Sequence, residues 1–174
     1  MIAIRISLIV AAALLVAAVD AHAGDKPVTA ASRTIKVSGS GCDALTTAIV
    51  HSKDVTPTGM IQRSTEIVEL RGDLHGRVLY HVTSVFDFVN GTLVNTGEQV
   101  FSGTIAGSEP VMIHDDQFRF EVNLVTGQEV GQVYLFNQIA GPKVRCTLSA
   151  VGSGLNSDGN PTFDYTGTCT FRGR

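Results

Sequence analysis

The sequence predicts an all-β protein, an antiparallel up-and-down β-barrel of about eight strands, with a β-sandwich as the alternative. Three observations lead to this fold class. Apolar and polar residues alternate with a period of two along most of the chain, which is typical of half-buried strands. Glycine, asparagine, aspartate and proline interrupt the alternation at the spacing of hairpin turns. The chain has 174 residues, 18 of them glycine, which suffices for one domain with its own core.

The N-terminus has the pattern of a secretory signal peptide. Arg5 precedes an apolar run over residues 6–19, which Ser7 alone interrupts, and Ala21-His22-Ala23 follows. A membrane-spanning helix needs about 20 apolar residues, so this run fits an export signal with an Ala-x-Ala cleavage site better than a membrane anchor. We expect cleavage after Ala23 and a secreted or periplasmic protein.

Once residues 1–23 are removed, residues 24–32 are expected to form a flexible N-terminus and residues 33–174 the barrel domain. The full chain has 13 basic and 16 acidic residues and a formal net charge of -3. Its lysines and arginines lie singly along the sequence, whereas nucleic-acid binding needs a clustered basic surface. The sequence therefore predicts no nucleic-acid partner, and we expect no transmembrane segment after cleavage.

The strands follow from the alternation. The clearest segment covers residues 77–88, where apolar side chains share one face with Ser84 and polar side chains occupy the other. Residues 43–51 fit either a short helix capped by Asp43 or a strand, and residues 52–63 have the composition of a loop. The predicted strands cover residues 33–37, 66–70, 77–88, 93–105, 111–113, 118–124, 130–136, 144–151 and 162–171.

Turn residues predict how the strands pair. A two-residue turn at Asn90-Gly91 sets Phe88 opposite Leu93. The same register sets Tyr80 opposite Phe101. Because the members of each pair are apolar and share one face, the register is consistent with the alternation.

A second turn is predicted at Thr126-Gly127. It sets Phe120 opposite Val133, and Phe118 opposite Leu135. These pairs are also apolar and share one face, as a strand with one buried side requires.

The last predicted hairpin places two cysteines side by side. A turn centred between Ser157 and Asp158 sets Cys146 directly opposite Cys169, which predicts a disulfide. An exported chain is compatible with this bond, which would stabilise the fold by about 3 kcal/mol. Cys42 is left over, and we interpret it as a small buried residue. A reactive thiol, an intermolecular bridge and pairing with either other cysteine stay open as alternatives.

Signatures of catalysis are absent from the sequence, so no cofactor and no metal are expected. The densest polar cluster is His114-Asp115-Asp116. Neighbours on an extended chain point to opposite faces, so we interpret the cluster as a solvated turn and not as a cation site. The other histidines after residue 23 have no ligand spacing with one another: His51, His75 and His81.

Two short motifs coincide with predicted turns. Arg71-Gly72-Asp73 matches a tripeptide that cell-adhesion receptors bind, and Asn90-Gly91-Thr92 is a formal N-glycosylation sequon. Glycine, asparagine and aspartate are also what a turn requires, so we favour a turn for Arg71-Gly72-Asp73, and a turn explains the sequon equally well.

The barrel interior is the predicted binding site. A barrel of about eight strands either fills with side chains or holds one small ligand. An apolar interior with a few polar groups suits a small hydrophobic ligand, while the tyrosines also fit as core residues with hydroxyls at the rim. The polar or hydroxyl-bearing residues predicted to face inward are Tyr80, Ser84, Asn95, Gln99, Gln132, Tyr134 and Tyr165.

Glycine, aromatic and turn residues recur in a particular order over residues 63–171. The order runs Gly72-Asp73-Leu74, Gly76-Arg77-Val78, Tyr80, Phe86, Phe88, Asn90-Gly91 and Phe101-Ser102-Gly103-Thr104, and closes with Tyr165-Thr166-Gly167-Thr168-Cys169-Thr170-Phe171. It resembles the allene oxide cyclase and dirigent-type barrels, in particular their small exported bacterial relatives. The resemblance implies an eight-stranded antiparallel barrel, often oligomeric, whose plant members cyclise or steer hydrophobic, reactive substrates without a cofactor. No catalytic residue of those families is matched to a position in this chain. The tryptophans of lipocalins and avidins are missing here, which disfavours both of those barrels.

The sequence thus predicts an exported barrel that binds a small hydrophobic molecule or has an unassigned role in the cell envelope, with a homo-oligomer as a further expectation. A first alternative is a cofactor-independent cyclase or isomerase, with Tyr80, Tyr134 and His81 as candidates. By alternation, His81 lies on the opposite face from Tyr80. A second alternative is a surface interaction protein that uses Arg71-Gly72-Asp73.

Overall fold

A computed structural model describes residues 31–173. The predicted signal peptide, residues 1–23, and most of the predicted N-terminal segment lie outside the described residues. Within the described part the strands are β1 (Arg33–Asp43), β2 (Ile49–Thr56), β3 (Gly59–Gly72), β4 (Leu74–Asp87), β5 (Thr92–Ile105), β6 (Val111–Asp115), β7 (Arg119–Asn123), β8 (Glu129–Leu135), β9 (Asn137–Ala140), β10 (Val144–Leu155) and β11 (Pro161–Phe171). A single 3-10 turn, Leu45–Thr47, joins β1 to β2.

The predicted fold class is confirmed: the chain closes into an antiparallel barrel of eight strands. Around the barrel the order is β1, β11, β10, β8, β7, β5, β4 and β3, and β3 pairs with β1 again. Two further strands pair with strands of the barrel. Strand β2 pairs with the part of β3 that lies beyond the end of β1, and β6 pairs with the part of β5 that lies next to the segment paired with β7. Among residues 31–173 no helix is long and apolar enough to cross a membrane.

Apolar side chains fill one end of the barrel, where the predicted disulfide between Cys146 and Cys169 is present. Tyr165 closes this end, because its hydroxyl accepts a hydrogen bond from the Leu74 N–H at 2.7 Å and donates to the Arg71 carbonyl at 3.1 Å. Burying one large apolar side chain stabilises the folded state by about 2 kcal/mol. The large side chains that are almost fully buried include Tyr165, Phe101, Leu74, Ile105, Ile113 and Leu135.

Glycines on the inner face make room for aromatic rings. Phe163 lies over Gly41, directly opposite on β1, where a Cβ atom would meet the ring at 2.1 Å. Phe120 lies in the same way over Gly131 of β8, where a Cβ atom would meet the ring at 2.3 Å. An aromatic ring that covers a glycine on the neighbouring strand is a recurrent device in barrels, and here it brings the rings into the interior.

The predicted register between β4 and β5 is wrong by two residues. Phe86, and not Phe88, pairs with Leu93, and Tyr80 pairs with Gln99. The connecting loop has four residues because the Asp87 carboxylate accepts hydrogen bonds from the N–H groups of the second and third residues after it, which lengthens the turn. A shift of two keeps every side chain on its predicted face.

The register between β7 and β8 differs from the prediction for the same reason. Phe120 pairs with Gly131 and not with Val133, and the predicted pairing of Phe118 is also wrong because β7 begins after it. The Asn123 side-chain oxygen accepts hydrogen bonds from the N–H groups of the second and third residues after it. An Asx turn thus lengthens this hairpin as well.

The register between β10 and β11 is as predicted. Cys146 pairs with Cys169, Ala150 with Tyr165, and a bulge between Gly152 and Gly154 takes up one residue near the turn.

The segment predicted as a loop, residues 52–63, is a hairpin instead. Strand β2 and the first part of β3 form it, with Thr56 opposite Gly59 across the turn. The alternation is weak here because most of β2 is exposed on both faces; Val55, for example, is 88% exposed. The ambiguous segment before it resolves into the 3-10 turn followed by a strand, and β9 is a short strand that the sequence did not predict.

Candidate functional site: the barrel interior

A cavity of about 70 Å³ lies in the barrel next to the apolar core. One water needs about 10–15 Å³, so the cavity holds several waters or one small organic group. Sites for drug-sized ligands measure about 300–1,000 Å³, so a ligand of that size would place only one of its groups inside. The apolar and aromatic side chains that line the cavity are Val68, Leu70, Val78, Phe118, Phe120, Val133, Leu135, Leu148 and Phe163.

Four aromatic rings form one continuous wall of this cavity. Tyr80 meets Phe118 edge-on with ring centroids 6.1 Å apart. Phe118 and Phe120 are 6.2 Å apart, and Phe120 and Phe163 are 6.0 Å apart. These separations lie within the range that favours aromatic pairs, so the wall is held by its own ring contacts.

Most of the side chains predicted to face inward do so. Tyr80, Asn95, Gln99 and Tyr165 line the cavity. Ser84 is buried, 6% exposed, but lies away from the cavity lining.

The prediction is wrong for Gln132 and Tyr134, which lie on the outer face of β8. Val133 and Leu135 fill the inner face of that strand, and neighbours on a strand point to opposite faces. Gln132 is exposed and its amide donates a hydrogen bond to Ser149 on β10. Among the candidates for an enzymatic role, Tyr80 therefore lines the cavity, while Tyr134 lies outside.

A cluster of carboxyl groups at the cavity is the feature that sequence reasoning missed. Asp43, the last residue of β1, and Glu129, the first residue of β8, both line the cavity. Glu66 lies behind Tyr80, whose hydroxyl donates to its Oε2 at 2.8 Å. Ser64, 1% exposed, donates to Oε1 of the same carboxylate at 2.5 Å.

The alternation offered a signal for two of these acidic residues, because Glu66 is the first residue of a predicted strand and Glu129 directly precedes another. Glu66 is in phase with Val68 and Leu70 on β3, and Glu129 is in phase with Val133 on β8. Asp43 falls within the segment whose structure the sequence left ambiguous.

Burial dominates the electrostatics of this cluster. It raises the pKa of Asp43 to about 7, with smaller contributions from the negative charges of Glu129 and Glu66, while the Tyr80 hydroxyl opposes the shift. Burial also raises the pKa of Glu129. The pKa of Tyr80 is raised by burial first and then by the neighbouring carboxylates, so its hydroxyl stays protonated and acts as a donor.

The Asn95 side chain adds an unsatisfied acceptor. Its Oδ1 atom is buried and has no hydrogen-bond partner among residues 31–173. A buried amide oxygen without a partner costs free energy, roughly 1–3 kcal/mol. Because Asn95 lines the cavity, a hydrogen-bond donor placed there would recover this free energy.

Asp115 belongs to the frame of the cavity. Its carboxylate, 0% exposed, accepts hydrogen bonds from the Gln99 side chain at 2.9 Å, the Tyr134 N–H at 2.8 Å and the Gln117 N–H at 2.7 Å. The interpretation of residues 114–116 as a solvated turn is therefore wrong for Asp115, although their side chains do point to different faces as expected. With three donors around it, this carboxylate orients Gln99 and joins β6 to β8.

The motif Arg71-Gly72-Asp73 forms the tight connection between β3 and β4. The Asp73 carboxylate accepts a hydrogen bond from the Ser38 N–H of β1 at 2.8 Å. Gly72 has φ of +100°, and a Cβ atom there would lie 2.7 Å from the backbone of β1. These contacts give Gly72 and Asp73 a structural role in the barrel, which explains why glycine and aspartate occur at these two positions.

The Asn90 side chain of the sequon is likewise held locally, by a hydrogen bond to the Asp87 carboxylate at 2.8 Å.

Two histidines meet on the outer face of the barrel. His51 Nε2 and His81 Nδ1 each lie 2.7 Å from the Thr65 hydroxyl oxygen. His81 is thus outside the cavity, opposite Tyr80 as the alternation predicts. Among residues 31–173 no three side chains of histidine, cysteine, aspartate or glutamate are placed so as to hold a metal ion.

Cys42 is a free thiol within the described residues and is partly exposed, so its interpretation as a buried residue is wrong. Its sulfur accepts a hydrogen bond from the Asn156 side chain at 3.3 Å.

Comparison of the chain with protein-family models, with curated proteins and with solved structures finds no match. The chemistry of the cavity therefore decides which functions are supported. An apolar, aromatic space with carboxyl groups on one side can bind a small organic group, and a carboxyl with a pKa near neutrality can also transfer a proton.

Proposed function

We propose that the barrel binds a small, mainly apolar molecule, or one apolar group of a larger molecule, in its interior. The cavity lined by apolar side chains and the aromatic wall carries this proposal, because apolar surface with a few polar groups is what such ligands bury. The sequence resemblance to the allene oxide cyclase and dirigent-type barrels supports it, and membership of that group is part of the proposal.

Toluene tests the proposal with two matched variants of β8. In Val133→Phe the new ring occupies the cavity, whereas in Val130→Phe it lies on the outer face of the same strand, where Val130 is 45% exposed. At ten times its Kd a ligand raises the free energy of unfolding by about 1.4 kcal/mol. We expect toluene to raise the Tm of the parent and of Val130→Phe, and to leave Val133→Phe unchanged. Equal stabilisation of Val133→Phe and Val130→Phe would mean that toluene binds outside the cavity.

We also propose that the protein works outside the cytoplasm, as a secreted or periplasmic protein. The disulfide supports this, because such bonds persist in oxidising compartments. Mass spectrometry of the protein recovered from its host should give an N-terminus at Gly24. A chain that keeps its N-terminal apolar run, or that has reduced Cys146 and Cys169, would contradict the proposal.

A second candidate function, cofactor-independent isomerisation, is favoured by one observation. Asp43 has a pKa of about 7 inside an apolar cavity, which suits a group that removes a proton and returns it near neutral pH. In a β,γ-unsaturated ketone, its carboxylate would take a proton from the carbon next to the carbonyl. The same group would then deliver that proton to the far carbon of the double bond, so the conjugated isomer forms with no change of oxidation state.

Cyclohex-3-enone is a suitable probe for this activity, since its conversion to cyclohex-2-enone is followed by ultraviolet absorption. The rate should rise as the pH increases through about 7, where Asp43 ionises, and should fall to the buffer rate in Asp43→Asn. The same rate in the parent and in Asp43→Asn would exclude Asp43 as the base.

A further inference from the structure

The polar atoms around the cavity are predominantly hydrogen-bond acceptors. Asp43 and Glu129 present carboxyl oxygens, and Asn95 presents a buried Oδ1 atom without a partner among the described residues. The Tyr80 hydroxyl is already used, since it donates to Glu66 behind the cavity wall. An alkylammonium group has three donors and no acceptor, so it complements this arrangement, whereas a carboxylate or phosphate would not.

No lysine, arginine or histidine is among the described residues that line the cavity, so the lining offers no counter-charge to Asp43 and Glu129. In residues 31–173 the ion pairs lie on the outer surface instead, as with Arg119–Glu121 on β7 and Arg77–Glu69 between β4 and β3. A buried carboxylate without a cation is costly, and a bound cation would remove part of that cost.

The aromatic wall favours the same kind of group. A cation within about 6 Å of a ring centroid is attracted to the ring face, which contributes about 0.5–2 kcal/mol. Tyr80, Phe118, Phe120 and Phe163 line the same cavity as Asp43 and Glu129, so one small space offers both ring surfaces and acceptor oxygens.

We propose that the interior site is selective for small lipophilic amines, bound as ammonium ions with their apolar part against the aromatic wall and their nitrogen at Asp43, Glu129 and Asn95. The inference rests on the proposed binding function and specifies the chemical class of the ligand. The raised pKa of Asp43 also supports this proposal, because binding of a cation and loss of the Asp43 proton would favour each other.

Benzylamine, benzyl alcohol and benzoate test the selectivity, because they share one ring and differ in the charge of the attached group. We expect calorimetric titration at pH 8 to give at least tenfold tighter binding of benzylamine than of benzyl alcohol, and no binding of benzoate. At pH 5.5, where Asp43 is protonated, the preference for benzylamine should fall severalfold, although benzylamine itself stays charged.

Two variants separate the site from general attraction of cations. Asp43→Asn should reduce the preference for benzylamine over benzyl alcohol to about threefold or less, by loss of one charge–charge contact. Asp164→Asn removes an exposed aspartate on β11 and should leave the preference unchanged. If Asp43→Asn does not fold, Glu129→Gln provides the same comparison.

Equal binding of benzylamine and benzyl alcohol to the parent would overturn the amine selectivity and leave the apolar binding site intact. Absence of binding by benzylamine, benzyl alcohol and toluene alike would overturn both proposals. A preference for benzylamine that survives in both Asp43→Asn and Glu129→Gln would place the ammonium away from this cluster and would also overturn the inference.

Discussion

The folded protein should lose stability as the pH rises from about 4 to about 7, because Asp43 must then ionise inside the barrel. In the unfolded chain this carboxyl has an ordinary pKa of 3.8, whereas in the folded protein the pKa is about 7. Between these values the folded state keeps a proton that the unfolded state has released. The free energy of unfolding therefore falls with increasing pH across this interval and becomes independent of Asp43 above it.

The size of the effect follows from the difference between the two pKa values. About 3 pKa units correspond to about 4 kcal/mol, which is an upper bound. Asp43 keeps partial contact with solvent, so we expect about half of this, about 2 kcal/mol. In a domain of this size that is a fall in Tm of about 6 °C. Glu129 adds to the effect in the same direction, because burial raises its pKa too.

Thermal unfolding of Asp43→Asn and of the parent measures this contribution. At pH 8 the variant should be more stable than the parent by about 2 kcal/mol, since it has no charge to bury. At pH 4 the two should unfold within about 0.5 kcal/mol of each other, because the parent is then neutral at this position as well. Asp164→Asn, on the exposed face of β11, is the matched control and should follow the parent at both pH values. A parent whose stability rises between pH 4 and pH 7, or an Asp43→Asn variant less stable than the parent at pH 8, would refute this account of the cluster.

Further predictions concern the frame around the cavity. Replacing both Cys146 and Cys169 by serine should lower the free energy of unfolding by about 3 kcal/mol in urea titrations, because the unfolded chain is then less constrained. Tyr165→Phe should lower it by about 1–3 kcal/mol, since the N–H group at the start of β4 is left buried without its acceptor. Gly131→Ala should also destabilise the protein, because the new methyl group meets the Phe120 ring, and adding Phe120→Leu should restore part of the loss.

Each of these predictions has a contradicting result. An unchanged urea midpoint in the double serine variant would show that the bond between β10 and β11 adds nothing to stability. Tyr165→Phe with parental stability would mean that its hydroxyl is not needed at the closed end of the barrel. If the losses in free energy of unfolding caused by Gly131→Ala and Phe120→Leu simply add in the double variant, then the Phe120 ring does not need the space that this glycine leaves.

The disulfide illustrates how much of the fold the sequence determines locally. The alternation, the turn and the two cysteines agree on one register between β10 and β11, and the structure has that register. The predicted registers of the β4–β5 and β7–β8 hairpins are wrong by two residues because Asp87 and Asn123 extend their turns through side-chain hydrogen bonds. Alternation cannot detect such a shift, since moving a strand by two residues leaves every face unchanged.

The carboxyl cluster was harder to predict than the apolar lining. Asp43 and Glu129 are far apart in the sequence and both line the cavity only because the closed barrel brings an end of β1 and an end of β8 to the same interior. Polar residues at strand ends usually face solvent, so the presence of aspartate and glutamate at these positions did not indicate burial. The available signal was that Glu129 is in phase with the inward-facing apolar residues of its strand. It becomes visible once the predicted strand is extended to include Glu129.

The position of benzylamine in a crystal of the complex tests the central claim most directly, namely that the barrel interior is a binding site with a polar end. We predict the ring against Phe118, Phe120 and Phe163 and the nitrogen within hydrogen-bonding distance of the Asp43 carboxylate. Benzylamine ordered on the outer face of the barrel, with the interior unchanged at saturating ligand, would contradict the claim.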